Sequence, residues 1–221
     1  MQGSSQKILK ILKTRTVLRP VELDELGIPR ITLQRLYQRG LVEKVARGLY
    51  RLPDTQISEH HSLAEAAKMV PKGVICLLSA LRFHDLTTQA PNEIWMAIDR
   101  KTRLPVNKAL PIRFVRFSGP ALIEGIENHI IDGIPVTIYQ PAKTVADCFK
   151  YRNKIGLDVA LEALKDCLRN RSCGADELWR FAKICRVSNV MRPYLEAMNA
   201  LCLDRKIKQL RCGSCCLIGR E

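Results

Sequence analysis

PVELDELGIPRITLQRLYQRG, residues 20–40, is the stretch that decides the fold. Pro20 suits the first position of a helix, Val21, Leu23 and Leu26 supply its apolar side, and Gly27 ends it. After the turn Gly27-Ile28-Pro29 a second helix runs from about Arg30 to Gln38 and stops at Arg39-Gly40. Two short helices joined by a tight glycine-containing turn read as a helix-turn-helix. At 100° per residue, Leu33, Leu36 and Tyr37 fall on the core side of the second helix. Arg30, Ile31, Gln34, Arg35, Gln38 and Arg39 fall opposite. A solvated helix face ordinarily mixes acids with bases, and no acid lies between Glu25 and Glu43. Arg and Gln make bidentate contacts to guanine and adenine edges in the major groove, and an exposed Ile can touch a thymine methyl. These six residues are therefore the expected base-reading set.

The flanks complete the unit. Upstream, Ile8, Leu9, Ile11 and Leu12 interleave with Lys7, Lys10 and Lys13, the pattern of an amphipathic helix ending near Thr14. Downstream, Leu41 to Leu52 forms two β-like runs joined through Ala46-Arg47-Gly48 and closed by Pro53, a β-hairpin wing. The expectation is a winged helix-turn-helix over residues 1–53. Lys44, Arg47 and Arg51 on the wing would meet phosphates or enter the minor groove, while Lys7, Lys10 and Lys13 add nonspecific phosphate attraction.

Charge sets this segment apart. The chain has 221 residues and a formal net charge of +14. Residues 1–53 hold eleven Lys and Arg against four Asp and Glu, so half of the excess lies in a quarter of the chain. Such a balance makes a polyanion the first partner to consider and excludes an acidic solvating protein. With 47% hydrophobic residues and a mean hydropathy of −0.07, wholesale disorder is excluded too. No apolar run is long enough for a membrane span, and MQGSSQKILKILK lacks the apolar core of a signal peptide. The nine cysteines show no regular framework. A cytoplasmic protein in a reducing compartment is expected.

Beyond a linker at residues 54–57, the pattern is helical over Ser58 to Met69 and Val74 to Phe83. Strands follow at Glu93 to Asp99 and Ile112 to Phe117. A hairpin joins Glu127–Ile131 to Ile134–Tyr139 at Asp132-Gly133, and helices return from Pro141, at about Leu157–Leu168, Ala175–Cys185 and Val190–Leu203. The fold class is α+β: an N-terminal winged helix, then a mixed α/β domain over residues 58–200 with a small antiparallel sheet and a helical C-terminal part. Residues 201–221 form a basic, Cys-rich tail.

No chemistry stands out. Cys212-Gly213-Ser214-Cys215-Cys216 contains a CxxC without the second ligand pair a structural zinc needs, and the other cysteines sit in apolar runs as small core residues. His60 and His61 are adjacent, so on a helix they diverge and belong to its surface. Ser79 near His84-Asp85 lacks a nucleophile elbow and an oxyanion loop. Asp99 ends a strand with Glu93 on its face, the one arrangement that suggests a metal-dependent nuclease, and no further carboxylate joins them. The expectation is no enzyme, no metal and no cofactor. A nucleic-acid-modifying enzyme delivered by a winged helix is the alternative.

Several motifs in order carry a family resemblance: the winged helix, Leu78-Ser79-Ala80-Leu81 with His84-Asp85-Leu86-Thr87, Ile134-Pro135-Val136, and Pro141-Ala142-Lys143-Thr144-Val145-Ala146-Asp147 with Lys150-Tyr151-Arg152. Over roughly residues 5–200 the chain resembles the AbiEi-type antitoxins, transcriptional regulators of type IV abortive-infection toxin-antitoxin systems. The resemblance implies a bacterial repressor that binds inverted repeats of double-stranded DNA in its own promoter. It also implies a second domain that counters a nucleotidyltransferase-like toxin without a stable complex. Ser79, Thr144 and Asp147 are then structural, with Thr144 and Asp147 meeting free N–H groups at a helix start. Two copies are expected on an inverted repeat. No heptad or apolar stripe marks a dimer interface, so the free protein is monomer or dimer.

Overall fold

The computed structural model describes residues 2–14, 17–46, 48–53, 59–104 and 110–198. Arg47, the linker 54–57 and the tail 201–221, with its CxxC, lie outside the described residues. The chain divides into two compact units, Met1–Gln140 and Pro141–Glu221, so the winged helix shares a unit with the strands.

The first unit opens with α1 (Gln2–Thr14), α2 (Pro20–Glu25) and α3 (Arg30–Gln38), followed by the hairpin β1 (Glu43–Ala46) and β2 (Leu49–Arg51). One apolar cluster holds these together: Ile8 and Leu12 from α1, Leu23 from α2, Leu33 and Leu36 from α3, with Leu18, Ile28 and Val42 from the connections. Full burial of each is worth about 1.5–3 kcal/mol. The turns follow the glycines. Gly27 and Gly40 both take positive φ, 64° and 70°, where a side chain would be strained. Behind each, the chain folds back with Ile28 N–H donating to Leu23 O and Leu41 N–H to Leu36 O. Leu18 bridges Tyr50 of the two-stranded hairpin through two backbone hydrogen bonds, an isolated bridge too short to show in the sequence.

α4 (His61–Met69), β3 (Val74–Ile75), α5 (Leu77–Phe83), β4 (Ile94–Asp99), β5 (Ile112–Phe117), α6 (Pro120–Ile123), β6 (Ile126–Ile131) and β7 (Ile134–Tyr139) follow. The sheet order is β5-β4-β3-β7-β6. The expected antiparallel hairpin is β6–β7, and β3–β4 is antiparallel as well; β4–β5 and β3–β7 run parallel. Two expectations are corrected. Val74–Ile75 is the central strand rather than the start of a helix, because a short buried apolar run has no period that separates strand from helix. α4 begins at His61, with Glu59 and His60 in a turn before it.

Winged helix and sheet share packing. Val17 and Leu49 lie in the same cluster as Leu63 and Ala64 of α4, Ile75, Met96 and Ile138. Glu22 serves both sides: one carboxylate oxygen accepts from Arg19 N–H at 2.7 Å and caps α2, while the other pairs with Lys68 of α4.

The second unit is helical among the described residues: α7 (Pro141–Lys150), α8 (Arg152–Ile155), α9 (Leu157–Arg169), α10 (Ala175–Ile184) and α11 (188–198). Ala142 to Phe149 of α7 are all buried, including Lys143 and Asp147. Cys148 and Cys185 are buried thiols outside any disulfide, and Cys76 is a buried thiol in the first unit. Cys167 and Cys173 correct the expectation of free thiols throughout: the turn after α9, with Arg171 at φ 55°, brings their Cα atoms to 5.7 Å and a disulfide joins them.

Candidate nucleic-acid interface

Two leucines fix the orientation of α3. Leu33 and Leu36 are buried against α1 and α2, which leaves Ile31, Gln34, Arg35, Gln38 and the C-cap Arg39 exposed. Tyr37 corrects the expectation for the core side. It is 46% exposed and meets Tyr50 of the wing edge-on, with ring centroids 6.0 Å apart. Between α3 and the wing runs a groove of about 340 Å³, bordered by Arg30, Ile31, Gln34, Tyr37, Lys44 and Tyr50. Periodicity alone missed both tyrosines, because a helix position at the rim between core and solvent is assigned by what packs beside it.

The cations of the segment divide by partner. Arg30 is held by Asp24: its Nε donates to the two carboxylate oxygens at 2.9 and 3.1 Å, and Nη2 donates as well. This fork-to-fork pair ties the start of α3 to α2. The hydrogen bond from Arg30 holds the Asp24 carboxyl below its ordinary range, so both stay charged near neutrality. Arg51 is likewise taken by Glu43, its cross-strand partner. Lys7, Lys10, Lys13, Arg35, Arg39 and Lys44 are exposed and form no ion pair among the described residues. Acids six and eight residues away in sequence thus pair with two of the residues expected to contact DNA. Folding supplied those neighbours, and the helix face did not show them. Lys7 and Lys10 border a second groove, with Ile11, Thr14, Leu26 and Ile28.

The residues weighed for catalysis have structural partners. Ser79 Oγ, buried, accepts from Trp95 N–H of β4 at 2.9 Å. His84 Nε2 donates to Tyr139 O at 2.8 Å, and burial holds its pKa below the ordinary value. Asp99 accepts from Lys101 N–H at 2.7 Å, and Glu93 pairs with Arg113. Among the described residues no three His, Cys, Asp or Glu side chains gather as a metal site. His61 departs from the expected helix surface: it is buried, with Nδ1 2.8 Å from Asp132 and Nε2 3.2 Å from Glu65. Asp147 departs too. Its carboxylate accepts from Lys143 Nζ at 2.5 Å and from the Cys185 thiol at 3.2 Å rather than serving as a helix-start cap.

Comparison with known proteins bears on the fold and on the winged helix. The fold is similar to the crystal structure of the RV2827C protein from Mycobacterium tuberculosis, with a TM-score of 0.56 and 14% identity over 82% of this chain and 71% of that one. No curated protein matches the sequence. No helix among the described residues is long and apolar enough to cross a membrane. Residues 6–53, from α1 to the end of the wing, match the family described as transcriptional regulator, AbiEi antitoxin.

Proposed function

We propose that this protein is a sequence-specific DNA-binding repressor and antitoxin of a type IV toxin-antitoxin system, acting in the bacterial cytoplasm. Residues 1–53 are its DNA-binding part. It binds inverted repeats in its own promoter, two copies per site, and represses its operon. Residues 58–200 carry the antitoxin activity against a nucleotidyltransferase-like toxin, without a stable complex.

The observation that supports DNA binding best is the exposed face of α3. Ile31, Gln34, Arg35, Gln38 and Arg39 present donors and one apolar group with no acid among them, beside a groove rimmed by Lys44. The family match over the same residues supports the regulatory role. Arg30 then acts by holding α3 against α2 through Asp24, and Arg51 by holding the wing through Glu43. Arg35 and Gln34 read bases, and Lys7, Lys10, Lys13 and Lys44 bind phosphates.

A gel-shift titration on the DNA upstream of the gene, beside a random duplex of equal length at two salt concentrations, tests this. A discrete complex that survives salt better on the upstream DNA is expected. Arg35→Ala or Gln34→Ala weakens that complex by about 1–3 kcal/mol each while leaving random-DNA binding nearly unchanged. Lys10→Ala weakens both alike and lowers the salt slope by about one. Equal losses on the two duplexes for Arg35→Ala would remove α3 as the reading helix.

A further inference from the structure

The five-stranded sheet ends in two unlike edges. At β5, Arg113 and Arg116 stand exposed. Arg113 lies over the Trp95 ring at 4.4 Å and pairs with Glu93, while Arg116 donates to the carbonyls of Arg100 and Thr102. Charged side chains of this kind keep an edge from pairing with another strand. β6 has no such guard. Its sequence, IENHII, contains no Lys, Arg or Pro, and its six pairs with β7 run without a bulge. Ile126, Asn128 and Ile130 are exposed along it, Ile130 to 80%, and the chain entering it adds Ile123 at 68%.

The backbone phase of this edge follows from the hairpin. Asp132-Gly133 is a two-residue turn with both φ positive, closed by Ile131 opposite Ile134, and such a closing pair is hydrogen-bonded. Alternation then directs the N–H and C=O of Ile131, His129 and Glu127 toward β7. Gln140 N–H donating to Gly125 O at 2.8 Å continues the same phase. The N–H and C=O groups of Ile126, Asn128 and Ile130 therefore point to the outer edge. Among the described residues no backbone group meets them there.

We propose that β6 is a homodimer interface, in which the β6 strands of two copies pair antiparallel about a twofold axis at Asn128 and continue the sheet from one copy into the other. The strand is complementary to itself in that register. Asn128 faces Asn128 of the second copy, and Ile126 faces Ile130 twice. All three outward-pointing residues are used, and an axis at Ile126 or Ile130 leaves some of them unpaired. On the opposite face Glu127 stands across from His129 of the second copy at the close, non-hydrogen-bonded spacing of an antiparallel pair. Glu127 and His129 already lie 3.2 Å apart within one copy, so the four side chains alternate acid and imidazole across the axis. Apolar pairs and opposite charges directly across are the pairs that stabilise a sheet. A second copy is the occupant because its own strand brings isoleucines opposite isoleucines and an acid opposite an imidazole at these matched positions.

Sedimentation of the full chain without DNA, from about 1 to about 300 µM, tests the proposal across the range of weak association. A monomer–dimer equilibrium is expected. Ile130→Lys sets a charge on the edge, and Asn128→Pro removes one outward N–H that β7 does not use. Each raises the dimer dissociation constant roughly tenfold or more, with the circular dichroism spectrum retained. In Asn128→Cys, a mild oxidant joins position 128 of one copy to position 128 of the other, identified by peptide mapping against the native cysteines. A chain that stays monomeric throughout, or an Ile130→Lys variant that dimerises like the parent, overturns the proposal. So does a dimer whose position 128 forms no link to its counterpart. Because DNA is absent from every arm, failure here leaves the DNA-binding proposal untouched.

Discussion

Lys143→Ala lowers the unfolding free energy by about 3–5 kcal/mol, the cost of leaving one partner of a buried ion pair alone. Both side chains are fully buried in α7, with Nζ 2.5 Å from the Asp147 carboxylate one turn on. Burial pushes the Asp147 carboxyl upward, and the charge and hydrogen bond of Lys143 pull it back. Removing the ammonium leaves burial opposed chiefly by the Cys185 thiol, which donates to the other carboxylate oxygen. That thiol is a weak donor, kept protonated because burial raises its pKa to about 12. Urea titration followed by circular dichroism measures the loss. The double variant Lys143→Met with Asp147→Leu recovers most of it, since apolar groups of similar volume need no desolvation. A single variant within about 1 kcal/mol of the parent would show that the pair does not hold α7 in place.

The sequence marks α7 clearly, and the reason for its buried charges only partly. Lys143 and Asp147 stand at i and i+4, the spacing at which helix side chains meet, yet the same spacing on a solvated face gives a weak surface pair. What separates the two cases is burial around α7, and that comes from packing. α3 shows the same division. Leu33 and Leu36 mark its inner face by period alone, and Gly27 and Gly40 mark its ends, because a helix stop needs positive φ. The pairing of Arg30 with Asp24 and of Arg51 with Glu43 depends on where neighbouring elements place two acids. β3 was hidden because two residues in the centre of a sheet show no alternation. Asp132-Gly133 announced a hairpin, and the structure gives its aspartate a second task as the acceptor for His61.

His61 links these elements, and its protonation sets the second large effect. Nδ1 faces Asp132 at 2.8 Å and Nε2 faces Glu65 at 3.2 Å, so both ring nitrogens have carboxylates to donate to, and only the imidazolium can donate from both. The hydrogen bond with Glu65 raises the His61 pKa most, burial opposes it, and Asp132 adds to the rise. A histidine whose native pKa lies above its unfolded value stabilises fully below about pH 6.5 and loses that contribution as pH climbs through the native value. His84 has the opposite sign. Its native pKa is depressed by burial, so its contribution is complete above the unfolded value and is lost as pH falls. The loss of stability as pH climbs from about 6.5 toward about 8 is therefore the limb that carries His61, because only above about 8.5 do the Cys148 and Cys185 thiols, raised by burial, add a loss of their own. His61→Gln, which donates from one nitrogen and carries no charge, costs about 3–5 kcal/mol at pH 6 and flattens that limb while leaving the acid limb in place. Urea midpoints across this range at constant ionic strength measure both effects. A variant whose profile runs parallel to the parent's would place the charge elsewhere. The consequence reaches the winged helix, because α4 is tied at its first turn to the β6–β7 turn through His61 and at its last to α2 through Lys68. Loosening the first tie leaves Lys68–Glu22 as the remaining ion pair from α4 among the described residues, so the thermal unfolding of the winged helix is expected to shift with His61 as well.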